Sequence, residues 1–411
     1  MKNNRTFLEK LLDGAKVEWK TLGEVSELRN TGVDKKINES EKSVRLLNFT
    51  DVFNNQYLSN STPTMIVTAS DKKIIDCNIL KGDLFITPTS EILDEIGQSA
   101  VALENIDNAV YSYHIMRIRI HDTNFLLPEF LNYLFRTSQI KQQIRKNAQG
   151  ITRFGLTLPH WKSLVIPIPP LSVQTEIVKI LDALTALTSE LTSELTLRRK
   201  QYEYYREKLL SEEELIKLGA TAENLGDVTS ISSGGTPSTK EPAYWVGGNI
   251  PWIKSESCKN KLIDEIKHHI TEMGLQNSNA KLLSPNITLM AMVGATIFKT
   301  AFLPFEATTN QNIAAIKSKN ELSIKDKFIF YYLTNMYDFF ISKLSGYNMV
   351  NLSQIKNIKI LLPPLEEQQR IVSILDKFET LTNSISEGLP LAIEQSQKRY
   401  EYYRELLLNF S

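Results

Sequence analysis

The chain has 411 residues, of which 42% are hydrophobic and 23% are charged, and its 47 basic side chains balance 47 acidic ones. This length predicts two or three domains with sizeable cores, and this hydrophobic content excludes a largely disordered chain. The sequence has two cysteines, Cys77 and Cys258, no signal-peptide pattern and no apolar run of the ~18–20 residues that span a bilayer. We therefore expect a cytoplasmic protein without disulfides or membrane segments.

The neutral net charge conceals a basic stretch. Residues 108–165 contain eight lysines and arginines against two acids, whereas the sequence from Leu171 onward is rich in glutamate. A net charge of zero counts against a nucleic-acid partner, but a locally basic face is compatible with one.

The first 23 residues contain short motifs that recur later in the chain. Residues 9–12 recur as 207–210, and residues 22–25 resemble 225–228. The chain thus begins where a repeat ends, so we expect the N-terminal segment, residues 1–23, to lie beside the C-terminal helix.

Residues 24–168 form the first of two predicted globular bodies, called body 1. Pro128 in a first helical turn, followed by an apolar face, predicts a helix that continues to about Lys146. A basic, glycine-containing loop follows at 146–155. β-Branched and apolar residues bounded by turn formers predict strands at 44–49, 84–87, 115–120 and 164–168.

Residues 169–221 are predicted to form a central helix. Pro169 and Pro170 suit the entry to a first helical turn. Apolar side chains then recur every three or four residues, with a mean spacing of about 3.5 that is typical of a coiled-coil seam. The seam residues are Ile177, Leu181, Leu184, Leu187, Leu191, Leu195, Tyr202, Tyr205 and Leu209. The tetrapeptide Thr-Ser-Glu-Leu occurs twice within the seam, at 188–191 and 192–195.

Body 2, residues 222–362, repeats the order of body 1 with different residues. A predicted strand at 249–254 takes the place of 44–49, and a glycine-containing segment at 343–346 parallels the loop at 146–155.

The C-terminal segment, residues 363–411, is a second copy of the central helix. The register between the copies is 194 residues at their Pro-Pro pairs and 198 residues at their Tyr-Glu-Tyr-Tyr-Arg motifs. Gly388 and Pro390 predict a kink or a break in this copy. Because the two apolar stripes have similar lengths, we expect the helices to pair antiparallel, each covering the stripe of the other.

The sequence contains no convincing motif for catalysis or metal binding. Residues 233–240 include two glycines but lack the Gly-Lys-Ser/Thr ending of a P-loop. Glu265-Ile266-Lys267 has the spacing of a nuclease carboxylate and lysine, but such a lone match is common. Five scattered histidines, including the adjacent His268 and His269, and two distant cysteines do not form a metal-ligand set. The chain is therefore predicted not to be an enzyme.

The repeated Pro-Pro-Leu and Tyr-Glu-Tyr-Tyr-Arg motifs resemble those of the specificity subunit of type I restriction–modification systems. The resemblance extends from Leu8 to the end of the second helix and includes the Gly-Gly-Thr-Pro opening of body 2. The doubled tetrapeptide resembles the subclass that carries tetrapeptide repeats in its central helix.

This resemblance implies a mixed α/β (α+β) fold with two target recognition domains, body 1 and body 2, separated by two long antiparallel coiled-coil helices in a circular, pseudo-twofold arrangement. Each domain would read one half of a split double-stranded DNA sequence, while the helices set the gap and dock two methyltransferase subunits. Restriction and motor subunits would join the complex. S-adenosylmethionine, ATP and magnesium would belong to those partners, so no cofactor is expected in this chain.

Basic and amide side chains on loops are the candidates for DNA contacts, because arginine and lysine bind phosphates or guanine and amides bind adenine. The candidates are Arg145, Lys146, Gln149 and Arg153 in body 1, and Thr236, Ser238, Lys240, Lys254, Asn310 and Gln311 in body 2. The candidates for partner docking on the helices are Gln174, Ile177, Leu181, Tyr202 and Tyr205, with Gln368, Ile371, Leu375, Tyr400 and Tyr403.

Two other functions compete with this interpretation. A non-enzymatic coiled-coil adaptor that binds proteins through its two bodies would explain the helices and the neutral charge. It would not explain why the two bodies share one order of predicted elements but differ in their surface residues. A self-contained nuclease or methyltransferase would need motifs that the sequence lacks.

Overall fold

The computed structural model describes residues 7–343, 349–384 and 386–410. The chain divides into two compact units, Met1–Glu190 with Ile393–Ser411, and Leu191–Ala392. These are called unit 1 and unit 2, and they contain body 1 and body 2 respectively. The predicted glycine-containing segment at 343–346 lies outside the described residues except for Lys343.

Unit 1 contains short strands and short helices. Its strands are β1 (Glu18–Thr21), β2 (Ser26–Arg29), β3 (Lys42–Leu47), β4 (Tyr57–Leu58), β5 (Met65–Ala69), β6 (Leu84–Ile86), β7 (Thr89–Ser90), β8 (Ser99–Ala102), β9 (Ala109–Tyr111), β10 (Met116–Ile120), β11 (Phe154–Gly155) and β12 (Val165–Ile168). The helices up to the middle of the chain are α1 (Phe7–Leu12), α2 (Leu22–Val25), α3 (Phe49–Asn54), α4 (Asp71–Asp76), α5 (Pro128–Leu134), α6 (Ser138–Asn147), α7 (Leu158–Lys162) and α8 (Leu171–Leu209).

Unit 2 is built in the same way. Its strands are β13 (Thr221–Asn224), β14 (Thr229–Ser233), β15 (Ile250–Ile253), β16 (Lys261–Leu262), β17 (His269–Ile270), β18 (Ile287–Ala291), β19 (Thr300–Leu303), β20 (Thr308–Thr309), β21 (Ile313–Ser318) and β22 (Lys359–Leu362). The remaining helices of the chain are α9 (Glu212–Lys217), α10 (Leu225–Val228), α11 (Glu272–Gln276), α12 (Asp326–Asn335), α13 (Tyr337–Lys343), α14 (Leu352–Lys356), α15 (Leu365–Asn383) and α16 (Gly388–Leu408).

The two bodies share one sheet topology. The five-stranded sheet has the order β2-β10-β6-β8-β4 in body 1 and β14-β21-β18-β19-β16 in body 2. Each sheet ends in a parallel pair, β4 with β8 and β16 with β19. A second parallel pair follows in each body, β3 with β9 and β15 with β20. An antiparallel pair at the base of each body joins β1 to β12 and β13 to β22. The mixed α/β repeat predicted from the sequence is confirmed.

The helix predicted from Pro128 to Lys146 consists of two helices, and that prediction is wrong. α5 ends at Leu134 and α6 begins at Ser138. Thr137 ends the first helix and caps the second, because its hydroxyl donates to Leu134 O (2.7 Å) and accepts from Ile140 N (3.4 Å). A threonine side chain that competes for backbone hydrogen bonds in this way favours a cap over a helix interior.

Both long helices contribute their apolar residues to the cores of the units. Ile177 and Leu181 lie in the core of unit 1, and Ile371 and Leu375 lie in the core of unit 2. The same cores also include residues of the opposite helix, Leu407 and Leu408 of α16 in unit 1 and Tyr202 of α8 in unit 2. Leu187, further along the seam, is 39% exposed.

Helix pairing occurs within each unit. In unit 2 α8 runs antiparallel to α15: Arg199 donates to Thr382 O (3.4 Å), and the rings of Tyr202 and Phe378 lie 6.3 Å apart. In unit 1 the hydroxyls of Thr188 on α8 and Ser396 on α16 are 2.8 Å apart. The long helix pair expected from the sequence is therefore confirmed.

The first and last described helices share a core. Leu8 of α1 belongs to the same core as Leu407 and Leu408 of α16.

Candidate nucleic-acid interface

Three loops of body 2 meet beside the glycines that follow β14. Gly235 N donates to Thr309 O (2.9 Å), and the indole of Trp252 donates to Gly235 O (3.0 Å). A Cβ on Gly234 would lie 2.0 Å from Thr309 O, so only glycine permits this approach. These contacts bring residues near 236, 254 and 310 to one surface.

Three of the six DNA-contact candidates of body 2, Thr236, Lys254 and Gln311, lie on this surface. The hydroxyl of Thr236 donates to Gln311 Oε1 (2.6 Å), so the two side chains orient each other. The ammonium group of Lys254 lies 5.8 Å from the ring centroid of Trp252, a cation–π contact that keeps the charge near the surface. Asn310 is adjacent and buried.

The remaining two candidates lie in the loop that follows. Ser238 O accepts a hydrogen bond from the indole of Trp245 (3.0 Å), whose ring packs edge-on against Trp252 at 5.0 Å. Ser238 is therefore held next to the same surface, and Lys240 is exposed two residues further on.

The candidates of body 1 fall into two groups. Gln149 and Gly155 exchange both backbone hydrogen bonds (2.9 and 3.0 Å), which closes the loop that carries Arg153. The guanidinium of Arg153 donates to Thr89 Oγ1 (3.0 Å). Arg153 faces a cleft of about 390 Å³ lined also by Phe49, Ser90, Glu91, Ile92, Glu95 and His114.

Arg145 and Lys146 lie in the last turn of α6 and are exposed. Arg145 pairs with Asp94 at 2.7 Å, and its hydrogen bond holds the pKa of that carboxyl below its usual range. An exposed pair of this kind contributes little to stability, so a DNA phosphate could displace the carboxylate.

Backbone hydrogen bonds show which residues of body 1 occupy the positions of the body 2 loops. Ser112 N donates to Leu47 O (2.8 Å) at the end of the β3–β9 pair. Asn310 N donates to Ile253 O (3.0 Å) at the end of the β15–β20 pair. Ser112 is thus the counterpart of Asn310, and the residues after Leu47 and Ile253 correspond to each other.

The same comparison aligns the glycine loops. Val33 N donates to Tyr111 O (2.9 Å), as Gly235 N donates to Thr309 O (2.9 Å). The counterparts of Thr236, Lys254, Gln311 and Asn312 are therefore Asp34, Asn48, Tyr113 and His114. The sequence analysis missed these four positions of body 1. The register between the bodies is 202 residues at Val33, 206 at Leu47 and 198 at Ser112, so no single offset along the sequence could find them.

Tyr113 and His114 lie close to Arg153. Tyr113 is 48% exposed, and its ring centroid is 4.0 Å from that of His114. The pKa of His114 is lowered by partial burial and by the charges of Lys35 and Arg153, and Asp34 opposes this shift. Body 1 therefore also has a surface with cationic, aromatic and polar groups.

Seven of the ten docking candidates are buried, so their assignment to a partner contact is corrected. Gln174, Ile177 and Leu181 of α8 and Gln368, Ile371 and Leu375 of α15 have no exposed surface. In unit 1, Gln174 Oε1 accepts from Leu127 N (2.9 Å), and Gln174 Nε2 donates to Phe125 O (2.9 Å) and Pro169 O (2.8 Å). The polar groups of this side chain are used to hold the helix to its own body.

The tyrosine motifs contain both buried and exposed rings. Tyr202 is buried and Tyr400 half-buried, whereas Tyr205 and Tyr403 are exposed. The most exposed rings are two that the sequence analysis did not select, Tyr204 (58%) and Tyr402 (63%). Each packs edge-on against the next tyrosine, at 5.4 and 5.3 Å.

A cleft of unit 2 with a volume of about 830 Å³ is lined by residues of α12 and α15. Asp376 of α15 lines this cleft, forms an ion pair with Lys327 (2.7 Å) and accepts a hydrogen bond from Tyr331 (2.6 Å). Within residues 7–343, 349–384 and 386–410, no group of three or more His, Cys, Asp or Glu side chains could hold a metal ion. No helix in those ranges is long and apolar enough to cross a membrane.

Comparison with known families identifies the class of protein. Residues 15–197 and 221–395 each match the type I restriction modification DNA specificity domain. The two matches cover both bodies and most of the long helices. The chain belongs to this family.

Individual relatives agree with this assignment. The chain is 32% identical to the specificity subunit of the type I restriction enzyme EcoR124I/EcoR124II from Escherichia coli, over 98% of this chain and 97% of that one. It is 38% identical over the full length of a Haemophilus influenzae protein assigned to the same class. Its fold is similar to that of the type I S subunit from M. genitalium, with a TM-score of 0.56 and 14% identity over 97% of this chain and 98% of that one.

Proposed function

We propose that this chain is the non-catalytic subunit that gives a type I restriction–modification complex its DNA sequence specificity, with each body reading one half of a split target. The observation that carries the proposal is the pair of matched surfaces. At four positions next to equivalent backbone hydrogen bonds, body 2 presents Thr, Lys, Gln and Asn where body 1 presents Asp, Asn, Tyr and His. Asn48 of body 1 is buried and caps α3, but the side chains at the other three positions are exposed or half-buried in both bodies. One frame with two different sets of side chains suits two different DNA sequences.

The long helices act as the spacer. Half-sites must lie at a fixed separation and helical phase, so a rigid connection between two readers sets the unspecified gap of the target. α8 is one uninterrupted helix of 39 residues, which supports this role.

The helices also dock two methyltransferase subunits, and restriction and motor subunits join that complex. The exposed tyrosine pairs, Tyr204 with Tyr205 and Tyr402 with Tyr403, support two equivalent docking points because their sequences and ring geometries are nearly the same. Exposed aromatic side chains are enriched at the centres of protein interfaces. The proposed docking points lie on the faces of the helices that the bodies leave exposed.

Catalysis and its cofactors belong to the partners. S-adenosylmethionine, ATP and magnesium would be bound by the methyltransferase and motor subunits, and this chain would bind double-stranded DNA and those subunits. In this division of roles the chain selects the site, and the partners modify or cut the DNA.

The test is a genome-wide methylation map of cells that express the chain with its cognate methyltransferase subunits. Two short sequence blocks around a fixed gap are the expected result. If the complex assembles but methylation is absent or follows one undivided sequence, the protein-binding adaptor becomes the better description.

A further inference from the structure

We propose that two adjacent residues in each body read bases and thereby fix the half-sites: Tyr113 with His114 in body 1, and Gln311 with Asn312 in body 2. This inference rests on the proposed function, since it assigns the reading of each half-site to named side chains.

One hydrogen bond of the turn is the same in both bodies. Ser112 Oγ accepts from His114 N (3.2 Å), and Asn310 Oδ1 accepts from Asn312 N (3.2 Å). A short polar side chain that binds the backbone two residues on fixes a turn without constraining the residue between. Ser112 and Asn310, whose side chains fix the turns, are buried. Tyr113, which lies between Ser112 and His114, is 48% exposed.

The preceding glycine loop lies directly against this turn. A Cβ on Gly32 would be 2.3 Å from the carbonyl carbon of Ser112, and a Cβ on Gly234 would be 2.0 Å from Thr309 O. The inner side of the turn is therefore occupied by backbone in both bodies. The side chains of Tyr113 and Gln311 are left on the outer, solvent-facing side.

The two pairs differ in the chemistry that recognises bases. Gln311 accepts a hydrogen bond from Thr236 through Oε1 (2.6 Å), which orients its NH₂ group for an acceptor on a base edge, such as a purine N7. Tyr113 instead presents a hydroxyl and an exposed ring that packs on the His114 ring at 4.0 Å. The hydrogen bond that fixes the turn is shared by the two bodies, whereas the side chains that would contact bases differ. Such a difference is what two different half-sites require.

Cationic groups flank both pairs. Lys254 lies over Trp252 beside the turn of body 2, and Arg153 lines the same cleft as His114 in body 1. Cations position a DNA backbone, and uncharged polar groups discriminate between base pairs. Each turn therefore has a reading pair with groups for phosphate binding next to it.

The test exchanges the pairs. Tyr113→Gln with His114→Asn gives body 1 the pair of body 2, and Gln311→Tyr with Asn312→His makes the reverse change. The chain, assembled with its cognate methyltransferase subunits, is mixed with DNA duplexes of random sequence, and the bound duplexes are sequenced. We expect each variant to change one half-site only, with the original half-site bound roughly 5- to 150-fold more weakly, as for a mismatched base pair. The gap should not change.

Matched controls are Ile75→Gln in body 1 and Leu322→Gln in body 2, which alter side chains that are 72% and 80% exposed elsewhere on the bodies. Two unchanged half-sites in both exchange variants would overturn the inference. If an exchange variant fails to bind DNA at all, the half-site preference of Tyr113→Phe is measured instead. An unaltered half-site preference in Tyr113→Phe would also overturn the inference. An unmodified chain that selects no split sequence would overturn the proposed function instead.

Discussion

Two buried glutamines hold the long helices to their bodies with the same set of hydrogen bonds. Gln368 Oε1 accepts from Lys325 N (3.0 Å), and Gln368 Nε2 donates to Ser323 O (3.0 Å) and Pro363 O (2.9 Å). Gln174 makes the equivalent contacts in unit 1. Because a buried amide satisfies three backbone groups at once, its loss leaves all three without partners.

We therefore expect Gln368→Ala to lower the free energy of unfolding of unit 2 by roughly 3 kcal/mol, from three hydrogen bonds at ~1 kcal/mol each. Denaturant titration measures the loss, and hydrogen exchange of α15 locates it. The matched control is Gln369→Ala on the exposed side of the same turn, which should change stability by less than about 0.5 kcal/mol. Equal effects of the two substitutions would contradict the anchoring role.

Lys254 is the cation for which the structure gives the clearest support, since it lies over Trp252 beside the turn of body 2. We expect Lys254→Ala to weaken DNA binding and to reduce the slope of log affinity against log salt by about 0.9, the value for one phosphate contact. Arg153→Ala should act in the same way on body 1.

The control for Lys254→Ala is Lys217→Ala, which removes an exposed lysine of α9 that pairs with Glu213 at 2.6 Å. Titrations at several salt concentrations separate the two variants. An unchanged affinity and slope for Lys254→Ala would remove this residue from the interface.

At the level of elements, the two long segments differ in continuity. α8 is continuous, whereas the second copy breaks between Asn383 and Gly388. Gly388 has a positive φ of 80°, and a Cβ there would lie 2.5 Å from Thr380 O. The predicted break is confirmed, and it depends on a glycine because no other residue would fit against the end of α15.

The doubled tetrapeptide gives a test of the spacer. Deleting residues 192–195 removes four residues of α8, which corresponds to ~6 Å of length and ~40° of rotation. We expect the gap in the methylated sequence to shorten while both half-sites stay the same, because the deletion leaves both bodies intact. Methylation mapping of the deletion variant gives the answer. A changed half-site would show that the helix contributes to recognition itself.

At the level of the molecule, a net charge of zero does not mean that the charges are evenly distributed. The cationic candidates lie beside exposed loops of the two bodies, whereas Asp182 and Asp376 of the long helices accept hydrogen bonds from buried tyrosines, Tyr133 and Tyr331 (both 2.6 Å). Burial and these carboxylates raise the pKa of both phenols, so the hydroxyls stay protonated and continue to donate. A net charge of zero is thus compatible with DNA binding at two small surfaces.

The sequence by itself determined the repeat, the long helices and the break at Gly388. These depend on local rules: apolar spacing, the constraints of proline and glycine, and motifs that recur word for word. It also pointed to the loops of body 2, because their basic, hydroxyl and amide side chains are of the types that contact DNA.

Only the tertiary structure decided which side chains share a surface. Helical periodicity identified Ile177 and Leu181 as apolar residues of one helix face. Only the structure shows that they lie in the core of unit 1. Tyr113 and His114 were missed because unequal loops shift the register between the bodies, so their equivalence with Gln311 and Asn312 exists only in the backbone hydrogen bonds. The spacing of residues along the chain reflects local backbone geometry. Contacts between strands that are distant in sequence depend on the tertiary packing of the whole body.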